Sequence, residues 1–483
     1  MPDIRRPLVL AAALLLLVLG AAAYVAATFD ANAYKAQIER YIKARTGYTL
    51  ELEGPVAMSL WPSIGIDAGR SSLSDTDHRE VLARMERAHA SIRILPLFSR
   101  RIVIDEIAVT GLQVTIVRYA NGRTNIDGLL RSQERQPYAL DIGGLRLRDS
   151  AVDVRDDAAK RGISLSELDV TINRIARGAP MRIELSGTAR SAAPSLDASI
   201  VLKTVAEYDA AAQDWSLQEL TYRMHGNMAG IPNAAVEATG RIAVNARTYD
   251  VRADGLRIVT KATWDARTLD LKLELPALQV SGEHWSAERM TLQALLETPR
   301  GRTQIALDAP RCTGNGAHWK SEAVTLAILH RGEDANFEAQ TAAALSGNLQ
   351  ARRIDITNLK TRFAFDAAAV AMKHIAGELS GNAAFDLAQQ RAHLKLAGSV
   401  AESKFAARVV MAPLVPPTIM CDIDVDRLDL DRYLPAASRA PARVQPLDLS
   451  MLEPLRMSGT VRVGRLTLSQ VTMRNARLVL ARD

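Results

Sequence analysis

The sequence predicts a mainly β protein behind one membrane-spanning helix, on three observations. Residues 8–27 (LVLAAALLLLVLGAAAYVAA) carry no charge, and the long body after them contains no comparable run. In that body apolar residues recur at every second position, as in Leu269, Leu271, Leu273 and Leu275 with Asp270, Lys272 and Glu274 between them. Aromatics make up 5% of the 483 residues while hydrophobic residues make up 48%. Ala, Leu, Val and Ile therefore supply most of the apolar surface, which favours thin layers over one thick core.

Twenty residues at 1.5 Å rise match a bilayer core of roughly 30 Å. Arg5 and Arg6 flank the run, so the positive-inside rule keeps residues 1–7 in the cytoplasm and sends the body across, into the periplasm of a bacterium. A cleaved signal peptide shares the basic flank and small residues such as Ala21 and Ala23. Its apolar core is shorter, roughly 7 to 15 residues, so a retained anchor is the reading. Next, Asp30 or Asn32 is placed to cap a short amphipathic helix with Tyr34, Ile38, Tyr41 and Ile42 at helical spacing, and Gly47 to stop it.

From there the period is two. Leu50 and Leu52, then Val56, Met58 and Leu60, are bounded by Gly54-Pro55 and Trp61-Pro62. Ile102 and Ile104, then Leu112, Val114 and Ile116, then Leu145 and Leu147, repeat the pattern. Such alternation marks antiparallel strands buried on one face only. An apolar-Ser/Thr-Gly signature recurs at Leu185-Ser186-Gly187, Leu345-Ser346-Gly347, Leu379-Ser380-Gly381 and Met457-Ser458-Gly459, with Ala238-Thr239-Gly240 as a looser copy. It reads as a strand with a Gly bend or bulge, at irregular period. Two breaks, 131–137 and the Pro-rich stretch 433–454, interrupt the texture, and the second reads as a loop.

The sequence carries few signs of catalytic chemistry. No Walker loop, GxGxxG after a strand, GxSxG elbow or HExxH helix is present. Cys312 and Cys421 stand far apart and read as packed thiols, and Cys312 with His318 lacks the further ligands of a metal site. Asp422, Asp424 and Asp426, with Asp429 and Asp431, look like a calcium loop. However, its Gly and bidentate Glu positions hold Arg427 and Tyr433. Ile423, Val425, Leu428 and Leu430 place these acids on the solvent face of strands. Asp105-Glu106 are adjacent, so in a strand they point to opposite faces, and Asp156-Asp157 reads as a turn before Lys160-Arg161-Gly162. The net charge of +6 is spread among acids, which argues against a nucleic-acid surface. No cofactor is expected.

Three blocks together resemble the AsmA family of bacterial envelope proteins. The first is 32–60 (NAYKAQIERYIKARTGYTLELEGPVAMSL) followed by Trp61-Pro62-Ser63-Ile64-Gly65-Ile66. The second is Leu95-Pro96-Leu97-Phe98-Ser99, the alternating pair 102–117 and the turn 121–130 (NGRTNIDGLL). The third is 424–435 (DVDRLDLDRYLP), a Pro-rich gap and 455–463 (LRMSGTVRV). The resemblance implies an inner-membrane anchor bearing a long, curved antiparallel β-sheet, an elongated groove with an apolar inner face similar to chorein-like lipid bridges. It also implies further strands beyond Asp483, so 455–483 reads as the start of a C-terminal module. The expected organisation is 1–7 cytoplasmic, 8–27 anchor, 28–130 N-terminal β unit, 138–432 repetitive sheet body, 433–454 loop and 455–483. About 25 to 30 strands at 4.8 Å spacing would extend roughly 120 to 140 Å.

The function implied is non-enzymatic. Phospholipid acyl chains would lie on the apolar face, with Ile102, Ile104, Leu112, Val114 and Ile116 as lining, in support of lipid transport toward the outer membrane and of its integrity. Expected partners are phospholipids, the inner membrane and inner- or outer-membrane proteins. The alternative is a structural or assembly factor for outer-membrane proteins whose strands close into sandwiches, since a sandwich core also buries one face of each sheet.

Overall fold

The computed structural model describes residues 31–59, 64–75, 81–93, 103–127, 142–176, 178–209, 211–333, 335–367, 374–414, 417–432, 457–468 and 471–480. The expected anchor 8–27, Asp30, Ile102 and the breaks at 131–137 and 433–454 lie outside the described residues. Among the described residues no helix is long and apolar enough to cross a membrane. They comprise 29 strands, one α-helix and two short 3-10 turns, in a chain that forms two compact units, 1–237 and 238–483.

In the first unit a 3-10 turn (Ala31–Tyr34) leads into helix α1 (Lys35–Thr46). Gly47 ends it in the left-handed region at φ +78°, its N–H donating to the Lys43 carbonyl at 3.0 Å. The expected cap by Asn32 is not made: Tyr34 occupies the N-cap position without a capping side-chain hydrogen bond, and Asn32 Oδ1 accepts the Val56 N–H at 2.9 Å.

Eight short strands follow: β1 (Tyr48–Leu52), β2 (Val56–Ser59), β3 (Ile64–Ala68), β4 (Ser71–Asp75), β5 (Val81–Met85), β6 (Arg87–Ile92), β7 (Ile104–Thr110) and β8 (Gln113–Arg118). They form two antiparallel branches, β1–β4–β5–β8 and β2–β3–β6–β7. Both converge on β9 (Leu145–Asp156). Its first half pairs in parallel with β7, from Ile107↔Leu145 to Thr110↔Arg148, and its second with β8, from Gln113↔Ala151 to Arg118↔Asp156. Two half-length strands laid end to end thus match one long strand. From β9 the sheet continues antiparallel through β10 (Arg161–Ile172), β11 (Met181–Ala192), β12 (Ser195–Asp209) and β13 (Asp214–Met228).

The chain passes from one unit to the next within β14 (Ile231–Asn245). The second unit then runs through β15 (Val251–Trp264), β16 (Arg267–Ser281), β17 (His284–Ala287), β18 (Met290–Thr298), β19 (Gly301–Ala309), β20 (Cys312–Asn315), β21 (His318–Gly332) and β22 (Ala335–Asn348). It continues with β23 (Arg353–Ala367), β24 (His374–Asp386), β25 (Arg391–Val400), β26 (Ser403–Leu414), β27 (Pro417–Asp429), β28 (Met457–Leu468) and β29 (Val471–Leu480). Neighbours pair antiparallel, with the short β17 and β20 pairing with each other between β16 and β21, beside the ends of β18 and β19. β28 lies parallel to β27, from Ile419↔Met457 to Asp429↔Thr467.

The expectation of a purely antiparallel sheet is therefore corrected at three junctions, β7–β9, β8–β9 and β27–β28. A parallel pair needs a long connection, and the connections here are 119–144 before β9 and 430–456 before β28. Strand alternation reports which residues share a face and is silent about strand direction.

The glycine of the recurring signature marks close approach. Gly187 faces the register shift of β10 between Ser166 and Asp169, so there the irregularity sits on the partner strand. At Gly347 a Cβ would stand 2.6 Å from Trp319 Nε1 and 2.7 Å from the Arg353 carbonyl. Gly347→Ala should therefore lower the thermal midpoint, with an overpacking cost of about 1–3 kcal/mol. A melt indistinguishable from the parent chain would show that the indole yields freely.

Candidate functional site: a one-sided apolar sheet face

Successive strand residues point to opposite faces, and residues directly opposed across a ladder share one. Ladder register therefore sorts every strand of the second unit. Starting from Ile258 on β15, one row runs through Leu273, Leu292, Leu307 and Leu326, narrows at Thr341 and Thr361, and resumes at Leu379. It continues through Gly398, Phe405, Val425 and Val463. A neighbouring row carries Leu271, Ala294, Ile305, Ile328, Ala339 and Phe363. The ladder from β15 to β29, omitting the short β17 and β20, has thirteen strands, a path of roughly 58 Å at 4.8 Å spacing.

The opposite face holds the charges. Lys261–Asp270 at 3.8 Å, Arg302–Glu297 at 3.6 Å, Arg362–Glu378 at 3.1 Å and Arg462–Asp424 at 2.6 Å are all cross-strand pairs on it, and Arg289 meets Asp308 at 2.5 Å. Asp422 and Asp424 are exposed there, with Ile423 and Val425 turned the other way, as the alternation requires. Residue size does not explain the difference in burial. On β25, Ala392 on the apolar face is 0% exposed, whereas Ala397 on the charged face is exposed. Ala309, Val324, Ala339, Ala383, Ala407, Cys421 and Val463 are buried on the apolar face too.

The large side chains of that face stay only partly buried: Leu271, Leu273, Leu292, Leu307, Leu326 and Phe363 are all of intermediate exposure. In a sheet-on-sheet sandwich such residues interdigitate with a second inner face and leave water altogether. Here small residues are sealed by their neighbours while the Leu row remains accessible, so among the described residues the face is apolar and open. A cavity of about 890 Å3 lies on the charged face of this unit, lined by Gln293, Asp308, Gln340, Lys360 and Arg362 among others. An apolar ligand there would strip water from ions, so its chemistry points away from acyl chains.

The first unit repeats the arrangement. Leu50, Leu73, Ala83, Val114 and Val152 form a row along one branch into β9, and Met58, Ile66, Ala90, Ile107 and Leu145 along the other. Beyond β9 the first row meets Leu165, Ala189 and Ala198. Of the residues expected to line the face, Val114 and Ile116 share it with Val152 and Val154, and Ile104 shares it through Ile92. Leu112 sits in the turn between β7 and β8, where its carbonyl accepts the Ala151 N–H at 2.7 Å. Ile102 is outside the described residues.

Ile107 and Val109 were not anticipated. The ladder shifts between Ser91 and Ile92, so one extra β7 residue opposes β6, and the apolar positions change from even to odd. The sequence carries the signal: Ile104, Ile107 and Val109 cannot share a face without a bulge. Asp105 and Glu106 there engage different arginines, Arg93 at 2.7 Å and Arg146 at 2.9 Å. Cys312 and Cys421 are free and buried, and burial, aided by the neighbouring Asp422 charge, pushes the Cys421 thiol up.

A sheet that is apolar on one face and ion-paired on the other defines a class of amphipathic β-sheet proteins. The particular member is placed by sequence: the chain belongs to the AsmA family, whose pattern matches residues 1–446. It is similar to Protein AsmA of Escherichia coli (strain K12), 24% identical over 147 residues, which cover 29% of this chain and 24% of that protein. The matched region thus spans about a quarter of the curated relative's length. No solved structure matches the chain.

The ion pairs set an acid sensitivity. The Arg289 guanidinium holds Asp308 below the usual carboxylate range, and Arg462 does the same for Asp424. A carboxyl whose folded value is depressed contributes stability above its unfolded value, near 3.9, and loses it as pH falls through the folded value. The thermal midpoint should hold from neutrality to about pH 4 and decline below that. In Asp308→Asn the decline should be shallower, and an identical acid limb in the two proteins would remove this pair from the account.

Proposed function

We propose that this chain is an inner-membrane-anchored periplasmic protein that holds phospholipid acyl chains on its apolar sheet face, in a groove open to their headgroups. In this way it supports lipid transport toward the outer membrane and the integrity of that membrane. The observation that carries the reading is the apolar row from Ile258 to Val463, narrowed at Thr341 and Thr361, whose Leu and Phe side chains stay partly exposed on a sheet whose other face is ionic. Membership of the AsmA family supports an envelope role, and the uncharged run 8–27 behind Arg5 and Arg6 supports the anchor and its orientation.

No covalent chemistry is required. Each methylene removed from water gains about 0.8 kcal/mol, so half-covering roughly ten of them gains on the order of 4 kcal/mol. That is enough to retain a tail and too little at any one position to trap it. Near-equivalent Leu, Ile and Val positions along the row let a tail move from one strand to the next without a large barrier.

The test is native mass spectrometry of residues 30–483 purified without detergent, followed by lipid extraction. Several phospholipids per chain are expected. Leu307→Asp and Ile104→Asp should each lower that number while the β-sheet circular dichroism is unchanged. A clean apo mass from the folded parent would overturn the reading in favour of an assembly factor, and full lipid load in the two Asp variants would move the lipid off this face.

A further inference from the structure

Helix α1 is amphipathic in the inverse sense. Lys35, Glu39, Ile42 and Thr46 fall on one stripe at i, i+4, i+7 and i+11, and this stripe faces the sheet. Lys35 Nζ donates to the Gly54 carbonyl at 2.7 Å, and Glu39 Oε1 accepts the Leu52 N–H at 3.0 Å. Together with Asn32 on Val56, they satisfy backbone groups around the turn between β1 and β2, the outermost strands of the two branches. A sheet edge presents N–H and C=O groups, so the side chains that cover it are polar.

The apolar stripe is thereby turned outward. Tyr34 is 47% exposed, Ile38 40% and Tyr41 60%, on a helix that also carries Lys35, Arg40, Lys43 and Arg45 against one acid, Glu39. Only three residues, 28–30, separate the uncharged run 8–27 from the start of the 3-10 turn at Ala31. Three residues of extended chain reach roughly 10 Å, so a chain anchored by that run holds the start of this helix close to the bilayer, with the stripe within reach of its surface. Tyr beside Ile with surrounding Lys and Arg is the composition of a helix lying in the headgroup boundary.

We propose that α1 is an interfacial helix, its Tyr34–Ile38–Tyr41 stripe seated in the membrane leaflet from which the body emerges while its polar stripe holds the sheet edge. The helix then fixes the edge of the first unit against the lipid surface and does more than connect anchor to body. The proposal rests on the anchor reading and is independent of whether the sheet face binds lipid.

The full-length chain carrying Ile38→Cys is spin-labelled and reconstituted in nanodiscs of phosphatidylethanolamine and phosphatidylglycerol. Its collision rates with molecular oxygen and with a water-soluble nickel chelate are compared with those of a label at Tyr249→Cys, a residue 77% exposed. The oxygen-to-nickel ratio at position 38 should exceed that at position 249 by roughly threefold or more, as for a side chain inserted in the headgroup boundary. Equal ratios at the two positions in a disc-bound chain would overturn the proposal and leave the anchor standing. Low collision with both reagents would overturn it in favour of a protein partner or a second copy on the stripe. A chain that does not stay with the discs would remove anchor and proposal together.

Discussion

Register is the constraint on which the rest depends. Every side chain of a strand changes face when its pairing slips by one residue, so an apolar row through many strands exists only if each ladder is set independently to the same parity. In the second unit this holds from Ile258↔Leu273 to Val425↔Val463. Where a strand departs from it, as between Ser321 and Val324, Ile356 and Leu359, or Met411 and Leu414, the shift lies toward one end of a ladder. Between β22 and β23 the shift falls mid-ladder, between Ala342 and Ala344, beside the step where the row narrows to Thr341 and Thr361. The cross-strand ion pairs reinforce the same parity, because a slip would set Arg362 or Asp424 among Leu and Phe.

An open apolar face conflicts with the usual reason a sheet folds, which is to bury that face against another layer. The chain resolves part of the conflict with alanine. Small side chains such as Ala339, Ala383, Ala392 and Ala407 vanish between taller neighbours, so backbone and Cβ are dry even where Leu tips are not. Long antiparallel ladders supply the remaining cohesion locally: β12 with β13, β21 with β22 and β22 with β23 are each joined over twelve or thirteen positions on nearest neighbours in sequence. Stability is then assembled largely strand by strand, as in quasi-one-dimensional repeat proteins, with a small buried cluster of Ala287, Ala309, Cys312 and Val324 in the second unit.

Much of this was legible in the amino-acid order. Leu269 to Leu275 with its intervening charges specifies both a strand and its wet face, and Asp422, Asp424 and Asp426 of β27 fall on the solvent side as alternation demands. The shift after Ile104 was legible only in hindsight, since Ile107 and Val109 break the even parity that Ile104 begins. Strand direction was not legible, because parallel and antiparallel partners bury the same side chains. Nor was the convergence of two short branches on β9, which depends on the lengths of β7 and β8 adding to that of one partner.

Helix α1 shows why local pattern and burial part company. Tyr34, Ile38, Tyr41 and Ile42 look like one apolar stripe, and by the rule for globular helices that stripe should face the protein. The structure divides them: Ile42 joins Lys35 and Glu39 against the sheet, while the other three face outward. The rule assumes that what a helix packs on is apolar. What lies beneath α1 is the polar rim of a sheet, the backbone of Leu52, Gly54 and Val56, and a backbone rim selects carboxylate, amide and ammonium partners. The orientation of an amphipathic helix is thus set by the chemistry of its support, and its apolar side is left for a second environment.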